Sequence, residues 1–383
     1  MNTAAPGPVV IAPDKFKGSL TAPEVAARVA AGLRRFRPGQ EVRLAPIADG
    51  GDGTLDAVTA RGYAPVSVLV SGPSGTPIEA AFVLRELTAV VELAEASGLR
   101  RLPPGRLNPM HASSRGTGEL ISAALDIGCD QVIIGLGGSA CTDGGAGMLQ
   151  ALGVRLLDRE GQELGPGGAA LSALDSVDLG GLDPRLASTG VLLASDVDNP
   201  LLGPNGAAAV YAPQKGATPA QVDELEAALQ NWSRKLAGAS GNEQATAPGA
   251  GAAGGVGFAA LTALGAQVRP GIELILELIN FDDLLSDAAL VITGEGSLDR
   301  QSLHGKAPVG VATAAARHGV PTIAVAGRTS LTEPELRAGG LAAAYSLTSI
   351  EADPEICMAE AGRLLEELVA TVLAPEWLGE PQG

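Results

Sequence analysis

Five glycines fall within eleven residues, Gly135-Leu136-Gly137-Gly138-Ser139-Ala140-Cys141-Thr142-Asp143-Gly144-Gly145, immediately after the apolar run Gln131-Val132-Ile133-Ile134. Glycine loses more backbone freedom on folding than any other residue, so a plain tight turn would not carry so many. A glycine-rich turn after an apolar strand is where a parallel α/β sheet lets backbone N–H groups approach a phosphate. Three more segments share this placement. Asp14-Lys15-Phe16-Lys17-Gly18-Ser19 follows Val9-Val10-Ile11-Ala12, Asp49-Gly50-Gly51-Asp52-Gly53-Thr54 follows residues 42–48, and Gly294-Glu295-Gly296-Ser297-Leu298-Asp299 follows residues 289–293. A chain built this way reads as α/β, with its chemistry in loops at strand ends.

The order of elements supports that reading. Residues 8–12 form a buried-type strand, and Thr21-Ala22-Pro23-Glu24 has capping-box spacing for a helix running to about residue 36. Residues 66–70, 78–84 and 89–93 are short, turn-separated runs that predict an antiparallel meander. Alternation then returns: a helix over 118–127, a strand over 131–134, a helix over 146–152 and strands over 154–157 and 191–194. Thr218-Pro219-Ala220-Gln221 opens a long helix to about residue 236, and the Gly/Ala-rich stretch 238–255 reads as a hinge or a binding loop. Strand 289–293, loop 294–305, helix 307–318 and strand 321–326 make a βαβ unit, which implies a parallel sheet. At roughly 150 residues per domain, 383 residues suggest two or three domains. The expected layout is a Rossmann-like parallel α/β domain made of residues 1–48 and 262–383, with a mixed α/β domain, 49–261, inserted.

The totals exclude several function classes. A formal charge of −17 repels nucleic-acid backbones and anionic lipid, and 3% aromatic residues provide no base-stacking platform. Three scattered cysteines without CxxC argue against a disulfide framework or structural zinc, and three histidines form no HExxH pattern. The amino terminus has no signal-peptide pattern and no apolar stretch approaches membrane-spanning length, so the expectation is a cytoplasmic protein, monomeric or homodimeric, that binds neither nucleic acid nor membrane.

Positive charge is written almost entirely as arginine. Only five of the 26 basic residues are lysines, and Lys17, Lys215 and Lys306 each adjoin a glycine. Lys15 and Lys17 suit a carboxylate or phosphate at a helix start. Asp49 and Asp52 fit hydroxyl contacts, metal binding or ordinary Asx turns. Gly135-x-Gly137-x-x-Ala140 formally matches a dinucleotide fingerprint, with Asp158 placed as a ribose-binding acid, so an NAD-dependent dehydrogenase of a small hydroxy acid is a rival reading. Against it, the turn is long, and Asp143 would face a pyrophosphate. A nucleotide-phosphate cradle with Mg²⁺ nearby fits better. Gly305-Lys306-Ala307 is not a Walker A loop, because Ala307 stands where Ser or Thr would hold Mg²⁺. Asp196 and Asp198 lie two apart after a strand, so one of them is expected to face a site. His304 lies in the fourth loop as a possible phosphate contact. His318 falls at a helix end, where a cation suits the dipole, and Cys141 reads as a packing residue.

Several Gly/Ser/Thr loops with scarce lysines and repeated aspartates fit phosphoryl transfer better than redox chemistry. Taken together, residues 11–26 (IAPDKFKGSLTAPEVA), 46–54 (PIADGGDGT), 113–121 (SSRGTGELI), 134–153 (IGLGGSACTDGGAGMLQALG), 195–203 (SDVDNPLLG), 211–218 (YAPQKGAT) and 293–312 (TGEGSLDRQSLHGKAPVGVA) resemble the type I glycerate kinase family, in order and over nearly the whole chain. The resemblance implies ATP-dependent phosphorylation of D-glycerate, at the 2-hydroxyl in preference to the 3-hydroxyl, in a cleft between two α/β domains. That family often has Glu where this chain has Asp52, which leaves the role of residue 52 open. With that implied activity, Lys15 and Lys17 would hold the glycerate carboxylate or the transferred phosphoryl, with Asp49 and Asp52 beside the substrate. Arg115 would give a bidentate carboxylate contact. Asp196, or Asp49, would orient the attacking hydroxyl or take its proton. Gly137, Gly138, Ser139, Thr142, Gly294, Gly296, Ser297 and Lys306 would embrace ATP, and Mg²⁺ would use Asp143, Asp196 or Glu295.

Overall fold

The computed structural model describes residues 7–48, 50–303 and 306–379. Asp49 and His304, both singled out above, lie outside the described residues. The strands are β1 (Val9–Pro13), β2 (Val42–Leu44), β3 (Ala64–Ser71), β4 (Pro77–Arg85), β5 (Thr88–Glu92), β6 (Gln131–Gly135), β7 (Arg155–Leu157), β8 (Ser176–Asp178), β9 (Gly190–Ala194), β10 (Gln267–Arg269), β11 (Leu290–Leu298), β12 (Thr322–Thr329) and β13 (Ala343–Ser346). They divide between two compact units. The first is made of residues 1–49, 56–61 and 272–383, the second of residues 50–55 and 62–271. Among the described residues no helix is long and apolar enough to cross a membrane.

The first unit holds a five-stranded sheet in the order β13-β12-β11-β1-β2, every pair parallel. Parallel neighbours need crossover helices, and the sequence supplies them. Helix α1 (Ala22–Phe36) links β1 to β2, and its Thr21–Glu24 capping box satisfies amide donors at its start. The helix Ala307–Arg317 links β11 to β12. Val9, Ile11, Leu290, Ile292, Ile323 and Val325 fill the sheet's core face against α1 and the carboxyl-terminal helices. From β1 the chain winds one way to β2, whereas β11 begins the run to β12 and β13. The carboxyl ends of β1 and β11 therefore flank the point where strand order reverses, the place in an open α/β sheet where ligands bind.

The second unit holds a six-stranded sheet in the order β10-β9-β6-β5-β4-β3. The β3-β4-β5 part is the antiparallel meander, and β5, β6, β9 and β10 run parallel. Register pairs Glu92 with Gly135 and Gly135 with Ala194, so three strand exits share one edge. Helix α2 (Thr54–Thr59) precedes β3; after β5 come α3 (Leu93–Ser97) and α4 (Arg115–Ile127), and after β6 comes α5 (Ala146–Ala151).

Three sequence expectations are corrected here. Residues 154–157 do not add a parallel strand after β6: β7 pairs antiparallel with β8 in a separate two-stranded sheet. Asp158 accepts the N–H groups of Glu160 and Gln162 at 2.9 and 2.8 Å, closing a turn instead of ending a βαβ unit. The dehydrogenase reading loses the geometry it needs, since its acid must end the next parallel strand. Second, the Gly294–Leu298 segment is strand, not loop. It pairs with β12 beyond the end of β1, through Ser297 opposite Arg328, and adjacent parallel pairing outweighs glycine's weak strand propensity. Third, the stretch 238–255 is no hinge. Its later part is packed, with Ala250, Ala252 and Ala253 in the core and the carbonyl of Gly254 accepting the Gly144 N–H at 2.9 Å.

Candidate functional site

In the first unit the β1 exit loop lies on β11. Asp14 donates its backbone N–H to the Gly294 carbonyl at 2.8 Å, and the buried Thr293 hydroxyl donates to the Ala12 carbonyl at 2.8 Å. Gly296 is glycine for a spatial reason: a Cβ there would sit 3.1 Å from the backbone nitrogen of Lys17. Phe16 is buried beneath the loop while Lys17 is exposed, so the hydrophobic anchor and the cation divide between adjacent positions. Lys15 approaches Asp14 at 3.9 Å. The structure thus brings Lys15, Lys17, Gly294, Glu295, Gly296 and Ser297 to one sheet edge. It adds Arg328, which donates to the Ser297 hydroxyl at 3.1 Å and which motif reasoning passed over. Only its register opposite Ser297 on β12 reveals it. Lys306 caps the start of the helix Ala307–Arg317.

In the second unit the 50–55 loop lies across the β6 exit. A Cβ on Gly137 would meet the Gly51 Cα at 2.4 Å, and one on Gly138 would meet Asp52 Oδ1 at 3.0 Å. Gly138 also has φ +72°, a conformation that side chains strain. Its carbonyl accepts the Leu99 N–H at 2.9 Å, and the Ala140 N–H donates to Ser97 at 2.8 Å. Among the described residues the N–H groups of Gly138 and Ser139 meet no acceptor. Successive unpaired amides beside a left-handed glycine form an anion-binding nest.

Glu92 belongs to this edge and was missed. It is buried at the end of β5 and accepts from Leu55 N–H at 3.4 Å and from Arg100 Nη2 at 3.2 Å. Arg100 also approaches Asp52 at 3.8 Å. Burial pushes the Glu92 carboxyl up from 4.5 to about 7. The Arg100 guanidinium opposes the rise, and the charge of Asp52 adds to it. An acid closing the apolar run Ala89-Val90-Val91 was the available signal.

Asp143 occupies a different environment. It is fully buried. Its Oδ2 accepts the Ser114 N–H and hydroxyl, both at 2.8 Å, and the Gly147 N–H at 3.2 Å, while Oδ1 accepts the Gly145 N–H at 3.2 Å. Four protein donors saturate this carboxylate, which ties α4 to α5. That donor set does not fit a metal ligand. Arg115, the first residue of α4, reaches Glu119 at 3.0 Å, and Glu119 in turn accepts from the Ser71 N–H and hydroxyl. Asp196 and Asp198 are both exposed in the irregular segment after β9, and Asp196 Oδ1 accepts the Gly271 N–H at 2.8 Å. Cys141 is buried, with burial pushing its thiol well above the ordinary value, so it packs as expected. His318 ends its helix against Asp282 at 3.1 Å.

A family model described as the glycerate kinase family matches residues 9–375. The chain belongs to that family. It is 45% identical over 369 residues to the glycerate kinase of Bacillus subtilis (strain 168), covering 96% of this chain and 97% of that one. It is 44% identical over 346 residues to the glycerate 2-kinase of Escherichia coli (strain K12), covering 89% and 91%. A crystal structure from Salmonella typhimurium LT2, provisionally named glycerate kinase 2, superposes with a TM-score of 0.81 at 41% identity, over 97% of this chain and all of that one.

Membership in this kinase family narrows what the strand-end loops have to do. Among the described residues no group of three or more His, Cys, Asp or Glu side chains is placed to hold a metal ion. A kinase Mg²⁺ is held by one or two carboxylates together with substrate phosphates, so an all-protein cage is not required. Asp196, exposed and fixed by the Gly271 amide, fits that requirement, as does the half-buried Glu295. Asp143 does not.

Proposed function

We propose that this family member transfers the γ-phosphoryl group of ATP to the 2-hydroxyl of D-glycerate, giving 2-phospho-D-glycerate and ADP. The observation that carries this reading is the nest at the β6 exit, where the N–H groups of Gly138 and Ser139, unpaired among the described residues, lie at the carboxyl end of a parallel strand. Gly137, Gly138, Ser139 and Thr142 hold nucleotide phosphates in this proposal, with Gly294, Gly296, Ser297 and Lys306 as further nucleotide contacts. Lys15 and Lys17 neutralise the glycerate carboxylate or the moving phosphoryl, and Arg115 and Asp52 orient the substrate. Asp196, or Asp49, receives the hydroxyl proton as the oxygen attacks phosphorus and the bond to the β-phosphate oxygen breaks. Asp196 or Glu295 would hold Mg²⁺, which would supply charge neutralisation on the phosphates. Beyond that proton transfer, the protein contributes positioning and charge, because phosphoryl transfer demands little covalent chemistry of it.

The test is ATP turnover with D-glycerate, with the product's phosphate position read by ³¹P NMR. Phosphate on the 2-oxygen is expected. A 3-phosphate product overturns the regiochemistry, and no glycerate-dependent ADP release overturns the proposal.

A further inference from the structure

Lys215 is the one lysine the chain buries completely, at 1% exposure, and the proposed chemistry does not use it. It ends the short helical turn Pro213–Lys215, ahead of Gly216 in the left-handed region. Its ammonium donates to the Ser139 hydroxyl at 2.8 Å and to the Cys141 carbonyl. Among the described residues no carboxylate lies within ion-pair distance of it, although Asp143 is close enough to be felt electrostatically. Burial holds its pKa below the ordinary lysine value, with Cys141 and Asp143 opposing that shift. A buried cation costs several kcal/mol unless its donors are used. Among the described residues both of its hydrogen bonds go to the glycine loop.

The loop's geometry shows the consequence. In a trans peptide the C=O and the following N–H point in opposite directions. Lys215 draws the Cys141 carbonyl toward itself, so the Thr142 N–H points away from it. The Leu99 N–H draws the Gly138 carbonyl inward, so the Ser139 N–H points away from Leu99. Among the described residues neither of these N–H groups meets an acceptor, and the Thr142 hydroxyl is buried without a partner. Two of the loop's carbonyls, Gly138 and Cys141, are held inward, and of its N–H groups Ala140 donates to Ser97 while those of Gly138, Ser139 and Thr142 meet no acceptor among the described residues.

We infer that Lys215 is a positioning residue that holds the Cys141 carbonyl and the Ser139 hydroxyl inward, leaving the Gly138, Ser139 and Thr142 amide donors preset for the phosphates of a nucleotide. The inference rests on the nucleotide reading of the loop and adds the group that organises it. Lys215 does not touch the nucleotide; it sets the loop before the nucleotide arrives, which lowers the ordering cost of binding.

The test compares Lys215→Met, Ser139→Ala and Gly138→Ala in the full-length enzyme, measuring KM for ATP and for D-glycerate and following unfolding by circular dichroism. Lys215→Met is expected to raise the ATP KM about tenfold and leave the D-glycerate KM within about twofold. If Lys215→Met does not fold, Ser139→Ala carries the test, because it deletes one acceptor and leaves the ammonium bonded to Cys141. It should raise the ATP KM about threefold with the D-glycerate KM unchanged. In the double variant the ATP effects should not multiply, since both deletions remove the same Lys215–Ser139 bond. An unchanged ATP KM in the folded variants, or equal rises for both substrates, overturns the inference. Gly138→Ala separates the two readings. If it raises the ATP KM while the Lys215 and Ser139 variants do not, the inference falls and the nucleotide site stands. If it also leaves the ATP KM unchanged, the nucleotide reading of the loop falls.

Discussion

Two lysine–glycine pairs, Lys17-Gly18 and Lys215-Gly216, look alike along the chain and do opposite things in space. Both glycines adopt positive φ, and both lysines belong to segments that match the same family. Yet Lys17 is exposed at the β1 exit, while Lys215 is buried and bonded to the loop after β6. A cation in water is available to a ligand. One buried against a carbonyl is committed to the fold, because moving its donors elsewhere would leave a desolvated charge. Loop composition therefore locates the chemistry without assigning roles: the exposed loop should fail in rate, and the buried loop in stability or in nucleotide affinity.

That contrast breaks most sharply at Asp143. Asp143→Ala strands four donors in the core and should lower unfolding stability by about 3–5 kcal/mol in urea titration. A variant of native stability whose Mg²⁺ requirement rises would restore Asp143 as a metal ligand. Lys17→Ala is expected to lower turnover by about 10²–10³-fold, with an unchanged melting temperature. Near-normal turnover would remove Lys17 from the chemistry and erase the distinction between the loops.

Glu92 gives a pH signature. Its folded pKa, about 7, lies above the ordinary 4.5, so the folded state holds the extra proton between those values. Stability should accordingly fall as pH rises from 4.5 through 7, by at most about 3 kcal/mol from this group. Glu92→Gln should flatten that slope and gain stability relative to the parent at pH 8; parallel stability–pH curves for the two proteins would count against the assignment. The smallest effect belongs to Arg115. Its pair with Glu119 is exposed, so Arg115→Lys should change stability by under about 0.5 kcal/mol. If Arg115 meets the glycerate carboxylate, the same change raises the D-glycerate KM several-fold, and an unaltered KM leaves it a helix-surface partner only.

What could be read along the chain was local or periodic. The Thr21–Glu24 and Thr218–Gln221 capping boxes form as their spacing requires, since each closes within one helical turn. The meander and the terminal βαβ unit follow from runs of apolar residues between turn formers. Residues 154–157 misled because a short apolar run does not specify its sheet partner. Gly294–Leu298 misled because glycine and serine predict a turn where β12 pairs with Gly294, Glu295, Ser297 and Leu298. Glu92 and Arg328 were passed over for the same reason: neither sits in a distinctive motif, and only register places them at a strand-end site.

The glycine loops after apolar strands determined by themselves that the chain is α/β and where its working loops lie, because close backbone approach and positive φ are demands that glycine meets cheaply. Burial was decided by tertiary structure alone. Whether a lysine or an aspartate in such a loop faces solvent or the core depends in part on neighbours tens of residues away. Lys215 reaches Ser139 and Cys141 across the fold, and Asp143 is enclosed by Ser114, Gly145 and Gly147. Desolvation then turns the same charged side chain from a ligand contact into part of the scaffold.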